Sequence, residues 1–506
     1  MATVELKASI NPRSFKKHEN KHKTYNDTIK RYFDVFNPFG GTGMQRYQAT
    51  GRAIQALLGD ALKKNVRVRA LGGDWSFSRI ASGDGWLLNT KPLNLLFAFS
   101  GADVSTDYPG ERQHLRFAQC GVSIKELDDR LAADGLSMFT HGASNGQTIA
   151  GALSTGTHGS AVDVGGIAEN VVGLHLLLGP ERSAWIERKS VPVVTENFLA
   201  KIGVTEVHRD DDLFNAALIG IGSFGFIHGV ALQTRPLFLI EFSTRFMGLT
   251  DPLKHVIETH RFEDLLPERP YHFEILINPF ASTDPCLIRT GFERPFGPHT
   301  PPLADVDGSG LGDDALAFVG LLTDNLPGQI TGVIGQLFAK LLQKNETAAR
   351  TGTVGEIWTN TNTRGRACST AISIPAERAV DALQLMLDLL AQEGPLALVP
   401  AMRFVKGGAA TLGWTRFPLT CILEADGPLS KRNLAFYALF WQALLDADIP
   451  HAFHWGKLFP EDASHIERCY GSARDTWRAA RQQLLPDPAI RQLFSSDLLD
   501  RLGLSG

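Results

Sequence analysis

The 506-residue sequence predicts a two-domain protein of mixed helix and sheet, α+β or α/β, on three observations. Its length exceeds the ~250–300 residues over which one hydrophobic core usually extends. Before residue 238, strand-like runs, glycine turns and helical runs alternate, as in layered sheet-and-helix domains. From about Phe238 to Asp446 that alternation gives way to separate hairpin-like strands.

Taken in order, Gln55–Asn65 (QALLGDALKKN) has helical spacing, and Val66–Gly73 (VRVRALGG) alternates apolar and basic residues before ending in glycines. Trp86–Asn94 (WLLNTKPLN) reads as a short strand and a turn. A strand from Leu115 ends at Cys120–Gly121, and Ser123 caps the helix that follows, with Glu126 three residues on. Ile124, Leu127 and Leu131 form its buried stripe, and Gly135 stops it. Ile167–Leu178 reads as a buried strand, Asp211–Gly222 as a capped helix broken by glycine, and Phe224–Leu237 as another strand. Later come a Pro/Gly-rich connection at Phe292–Gly312 and an apolar helix at Ala315–Leu342, which packing inside a second domain accounts for.

Composition excludes several function classes. With 43% hydrophobic and 21% charged residues and a formal charge of −4, the chain lacks the concentrated basic face that nucleic acid requires. The basic run Lys16–Lys23 (KKHENKHK) reads as a solvated, mobile arm. Five dispersed cysteines form no CxxC pair, so no metal site is expected. No apolar run resembles a secretory signal or a membrane span, so a cytoplasmic location is expected.

Three glycine turns beside strands carry the chemistry: Leu71–Ser78 (LGGDWSFS), Gly142–Ser160 and Gly220–Gly225 (GIGSFG). Where no Cβ intervenes, backbone approaches a ligand closely, and successive amides form concave anion sites. Three such turns favour a large phosphate-bearing cofactor. None has the GxGxxG or GxxxxGK[ST] pattern of the common nucleotide folds.

Four stretches, Val68–Ser78 (VRALGGDWSFS), Phe117–Leu136 (FAQCGVSIKELDDRLAADGL), His141–Ser160 (HGASNGQTIAGALSTGTHGS) and His454–Lys457 (HWGK), occur in the order found in a known family. On them the chain resembles flavoproteins of the vanillyl-alcohol oxidase type, with a PCMH-type FAD-binding domain, close to aldonolactone and alditol oxidases. The resemblance implies an α+β fold. A two-subdomain FAD-binding domain would span 1–237, a cap domain with an antiparallel sheet flanked by helices 238–446, and a returning segment 447–506. It implies that FAD is held by Gly72, Gly73, Asp74, Trp75, Ser76 and Phe77. Gly142, Ala143, Gly146, Gly151, Thr155, Gly156, His158 and Gly159 would continue the cradle, with His158 holding the loop as a core residue. Gly225 and Ile227 would lie near the adenine or ribityl part.

Departures from the family pattern shape the remaining expectations. Relatives tether FAD through a histidine where this chain has Trp75, whose indole offers no nucleophilic imidazole nitrogen, and Asn145–Thr148 lacks the second tether's cysteine. Non-covalent FAD is therefore expected. The resemblance aligns Gly142 with the small residue that governs oxygen access, which favours an oxidase. A cap-strand Glu-x-Arg pair becomes Ala401-Met402-Arg403, keeping the arginine and losing the carboxylate. With Phe280, Phe404, Trp414, Phe417 and Phe453 as candidate pocket aromatics, each of which reads individually as cap core before pocket wall, an alcohol more apolar than a sugar polyol becomes plausible. Lys457 (also counted as a cofactor contact) and Arg403 are the expected cations near the reduced flavin, and His454 the proton acceptor or orienting group. The implied activity is oxidation of a small alcohol, lactone or ring-hydroxylated compound by O2, releasing H2O2. The alternatives are a dehydrogenase with another acceptor and a flavin-binding protein without turnover.

Overall fold

Ser123 and Glu126 begin the helix Ile124–Ala133 as the sequence predicts. Glu126 N–H donates to Ser123 Oγ (3.2 Å), and Ser123 N–H donates back to the Glu126 carboxylate (2.9 Å). Ile124, Leu127 and Leu131 are its buried residues, and Gly135 takes a positive φ just beyond its end. The helix before Val68 is longer than its spacing suggests. It spans Gly43–Lys63, because Thr42 and Gln45 form a second capping box upstream. Asp210 caps Asp211–Leu218.

The computed structural model describes residues 6–281, 283–302, 319, 323–325, 349–361 and 365–506. The expected helix at Ala315–Leu342, and the Phe292–Gly312 connection beyond residue 302, lie outside the described residues except for 319 and 323–325.

Two sheets form the N-terminal half. A four-stranded sheet runs Ser9–Arg13, Arg31–Phe36, Trp86–Asn89, Val68–Leu71, the last three parallel. A six-stranded sheet runs Glu206–Arg209, Ser183–Glu187, Val171–Leu177, Phe226–Gln233, Leu115–Gln119, Leu96–Ala98. An eight-stranded antiparallel sheet follows, in the order Arg350–Gly352, Phe238–Met247, Cys286–Pro295, His272–Ile277, Val399–Lys406, Leu419–Pro428, Ala367–Pro375, Ala452–Phe453. The helices Ala379–Glu393 and Lys431–Asp446 pack on its Ala367–Pro375 strand. This is the α+β architecture expected, with an antiparallel sheet flanked by helices.

One apolar core joins the layers, running from Phe33 through Ile372 to Leu504. The C-terminal helix Ser472–Leu484 packs on Asp211–Leu218, where Trp477 Nε1 donates to the Ile219 carbonyl (3.1 Å) and Arg481 to that of Ser223 (3.0 Å). The Lys16–Lys23 arm is not solvated throughout. Lys17–Glu19 pairs with Asn26–Thr28 as a hairpin, and His18, Asn20 and His22 are buried while Lys17 and Glu19 are exposed.

Candidate active site

The first two glycine turns converge because glycine lets their chains approach closely. A Cβ on Gly72 would collide with Thr148, one on Gly73 with the Gly146 carbonyl, and one on Gly146 would stand 2.6 Å from the Trp75 indole. Arg69 ties in the third turn, donating to the carbonyls of Ile221 (2.9 Å), Gly222 (2.9 Å) and Ile80 (2.5 Å). The HWGK stretch docks on the first turn. Phe77 N–H donates to the Gly456 carbonyl (2.8 Å), and Ser78 Oγ to that of Trp455 (2.5 Å).

Together they enclose a cavity of about 410 Å³. Gly72, Gly73, Asp74, Trp75, Ser76 and Phe77 line it, as do Gly142, Ala143, Gly151, Thr155 and His158. Gly225, Ile227, Arg403, His454 and Lys457 complete the predicted residues found there. Gly146, Gly156 and Gly159 do not line it. Gly146 packs on Trp75, and Gly156 is a left-handed helix end whose Cβ would meet Trp414 at 2.8 Å. Gly159 lies against Thr140 and the His141 carbonyl. Their smallness serves packing between these segments.

None of the candidate pocket aromatics lines this cavity, and three take the core reading. Phe404, Trp414 and Phe453 are core residues, Phe280 lines a separate apolar cavity, and Phe417 is half-buried outside the main one. Trp414 instead holds the site from behind, with its Nε1 donating to the Gly156 carbonyl (2.7 Å) and its ring beside those of His158 and His454.

The wall formed by the eight-stranded sheet is therefore polar. Sequence reasoning missed Glu424 and Asp426, two residues apart on Leu419–Pro428, both lining the cavity. An acidic pair at strand spacing inside the apolar run CILEADGP was the available signal. Arg403 Nε donates to Glu274 (2.9 Å) and its Nη2 lies 3.4 Å from Glu424. Arg289 holds the other Glu274 oxygen (3.1 Å). Burial opposes charge on all three central groups, but the pairing prevails. Arg403 is held well above the ordinary guanidinium value by Glu424 and Glu274. Glu424 is held far below the carboxylate range by Arg403, and Glu274 is lowered to about 2 by Arg403 and Arg289. Lys457 Nζ donates to Ser369 Oγ (2.7 Å), lies 3.6 Å from Asp426 and sits over the Phe77 ring.

The His158 and His454 imidazoles are driven toward neutrality by burial. His158 is buried, its Nδ1 at 2.8 Å from the Gly159 carbonyl and its Nε2 3.6 Å from Glu424. Gly456 N–H donates to His454 Nδ1 (2.8 Å), which leaves Nε2 to carry the hydrogen.

The donor set fits a large polar cofactor. Trp75 Nε1, Asp74 Oδ1, Gln147 Oε1 and both His22 ring nitrogens are buried without a well-formed hydrogen bond, Glu424 Oε2 and Asp426 Oδ1 face only the cations of Arg403 and Lys457, and every one belongs to a residue lining this cavity. Buried polar groups are almost always paired, so a cluster of orphans around one hollow marks where a ligand's own groups belong.

The comparisons with known proteins agree. Residues 48–182 match the FAD binding domain family model, and residues 230–502 match that of D-arabinono-1,4-lactone oxidase. The chain belongs to the D-arabinono-1,4-lactone oxidase family. An L-gulono-1,4-lactone dehydrogenase from Mycobacterium tuberculosis is 24% identical over 448 residues, covering 88% of this chain and 92% of the relative. A putative D-arabinono-1,4-lactone oxidase from Neurospora crassa is 30% identical over 190 residues, 38% of this chain and 29% of that one. In fold the chain resembles the cholesterol oxidase from B. sterolicum, with a TM-score of 0.72 at 17% identity over 98% of this chain and 97% of the other. As a family member the chain is an FAD-dependent oxidoreductase acting on a CH–OH group. No helix among the described residues is long and apolar enough to cross a membrane.

Proposed function

We propose that the chain is an oxidase of a small, uncharged, polyhydroxylated compound, an aldonolactone or sugar alcohol, passing its electrons to O2. The observation that carries this reading is the polar wall. Glu424 Oε2 and Asp426 Oδ1 make no hydrogen bond and face only the cations of Arg403 (3.4 Å) and Lys457 (3.6 Å), so they offer acceptor oxygens, and Lys457 offers a donor, within one cavity. Two carboxylates already neutralise Arg403, so an acidic substrate gains little there, whereas hydroxyl donors satisfy both orphan oxygens. This reverses the expectation of an apolar alcohol.

FAD, when bound, supplies a two-electron acceptor for the carbinol hydride. In this reading Lys457, held by Ser369, places positive charge where negative charge develops, while Arg403, whose charge its two carboxylates offset, orients through its N–H groups. His454 orients through its Nε2 hydrogen, because its other nitrogen already accepts from Gly456. FAD is held without a covalent bond, and of the division 1–237, 238–446 and 447–506 the first boundary is supported by the change from the two N-terminal sheets to the antiparallel sheet, in which Ala452–Phe453 of the last segment still pairs.

A dehydrogenase is the second reading, favoured by the name of the Mycobacterium tuberculosis relative. Anaerobic mixing with a panel of aldonolactones, sugar alcohols and apolar alcohols tests both. The polyhydroxylated members should bleach the flavin, and admitting air should restore its colour with release of H2O2. Bleaching by apolar alcohols alone contradicts the substrate class, and colour that returns only with a quinone or dye contradicts the oxidase.

A further inference from the structure

We propose that the N-terminal arm, which lies outside both matched family segments, completes the cofactor site, with His22 as its point of contact. The arm is fastened to the first glycine turn residue by residue. Asn20 Nδ2 donates to the Ser76 carbonyl (2.8 Å), and Thr24 Oγ1 to that of Phe77 (2.6 Å). His18 Nε2 lies 3.3 Å from Asp74, and the Lys21 ammonium sits 4.3 Å over the Trp75 ring. Asn20 Oδ1 accepts from the Thr24 and Tyr25 amides and so fixes the tip of the hairpin.

That tip delivers an imidazole into the cavity. His22 is only 1% exposed, lines the cavity, and stacks on Phe77 at 3.9 Å with an interplanar angle of 9°. Neither of its ring nitrogens makes a well-formed hydrogen bond, and the Trp75 backbone offers the ring only partial compensation for burial. Burial, with Lys457 and Lys21 nearby, lowers its pKa to about 4, so the ring is neutral at working pH and presents one N–H and one lone pair. A buried imidazole with at least one nitrogen unmatched is costly unless something in the hollow meets it, and FAD is the group the hollow holds.

Titration of FAD into the apo form of the full-length chain tests this without reference to turnover, substrate or oxygen. His22→Ala should weaken FAD binding about tenfold and shift the visible absorption band of the bound flavin. His22→Gln, which keeps a donor and an acceptor, should recover most of the affinity. Asn20→Ala loosens the hairpin without touching the cavity. It should weaken binding on its own and add less than threefold in the His22→Ala background, since both act through one group. Wild-type affinity and an unchanged spectrum in folded His22→Ala overturn the proposal. So does a loss that Gln fails to rescue while the melting temperature of the apoprotein falls in parallel, which marks His22 as a packing residue.

Discussion

Ala401 and Glu424 stand directly opposite each other in the antiparallel ladder between Val399–Lys406 and Leu419–Pro428. Opposed residues share a face of the sheet with Cβ atoms about 4.5–5.5 Å apart, and Arg403, two residues along, shares it too. The carboxylate missing beside Arg403 in sequence is thus supplied from the neighbouring strand.

Glu424→Gln keeps the shape of that side chain and removes its charge. Arg403 keeps Glu274, so the fold and the bound FAD should survive. What is lost is a charged acceptor for a substrate hydroxyl, which corresponds to about a 10–100-fold fall in kcat/KM. Restoring a carboxylate on the opposite strand, as Ala401→Glu in the Glu424→Gln background, should recover part of it. Steady-state kinetics on the best panel substrate give the measurement, with flavin content as the control.

Lys457→Met removes a cation whose hydroxyl partner, Ser369, holds it above Phe77. A preorganised charge of this kind is worth about 10²–10³ in kcat. Arg403→Lys should also be damaging, because an ammonium cannot span Glu274 and Glu424 as the guanidinium fork does. Rapid-reaction measurement of flavin bleaching under anaerobic conditions separates this loss from any effect on reoxidation.

The glycine turns and HWGK were legible because close backbone approach restricts residue choice locally, and so was the Ser123 capping box. Glu424 was not, because its place beside Arg403 depends on a strand register that no local pattern encodes. The arm was misread for the opposite reason. Its alternation, Lys17 and Glu19 outward, His18 and Asn20 inward, is a strand pattern written in polar residues, so hydrophobic periodicity finds nothing. The core reading of the candidate pocket aromatics was legible, because large apolar side chains on a sheet are most often its core, as Phe404 and Phe453 are.

Acid precipitation tests the tether. With Trp75 in the first turn, the protein pellet should be colourless and the supernatant yellow, and a fluorescent flavin band on a denaturing gel contradicts this. Trp75 lines the cavity with its Nε1 unpartnered, so Trp75→Phe should retain folding and loosen FAD severalfold.

Asp128 gives a pH signature outside the site. Burial raises its pKa to about 6, from an ordinary value of 3.8, although His141 lies 3.3 Å away. A carboxyl that binds its proton more tightly folded than unfolded stabilises the fold below about pH 4, and that stability is lost as pH rises through about 6. Asp128→Asn, neutral at every pH, should therefore melt higher than the wild type at pH 7.5, by up to about 3 kcal/mol in stability. The difference should shrink steadily by pH 4.5, and a constant difference across that range contradicts the assignment.

Gly142 lines the cavity, and a Cβ there would meet the His158 carbonyl and Thr157 Cγ2, each at 3.3 Å. Its backbone is not in the left-handed region, so alanine introduces no φ strain, and neighbours need yield by only a few tenths of an ångström. Gly142→Ala should therefore fold, bind FAD and be reduced by substrate at nearly the wild-type rate. If the open space at Gly142 admits O2 to the reduced cofactor, the added methyl should slow reoxidation by air at least tenfold while leaving reduction intact, turning the protein toward the behaviour of a dehydrogenase. Stopped-flow reoxidation at several oxygen concentrations measures it, and an unchanged rate places the oxygen path elsewhere.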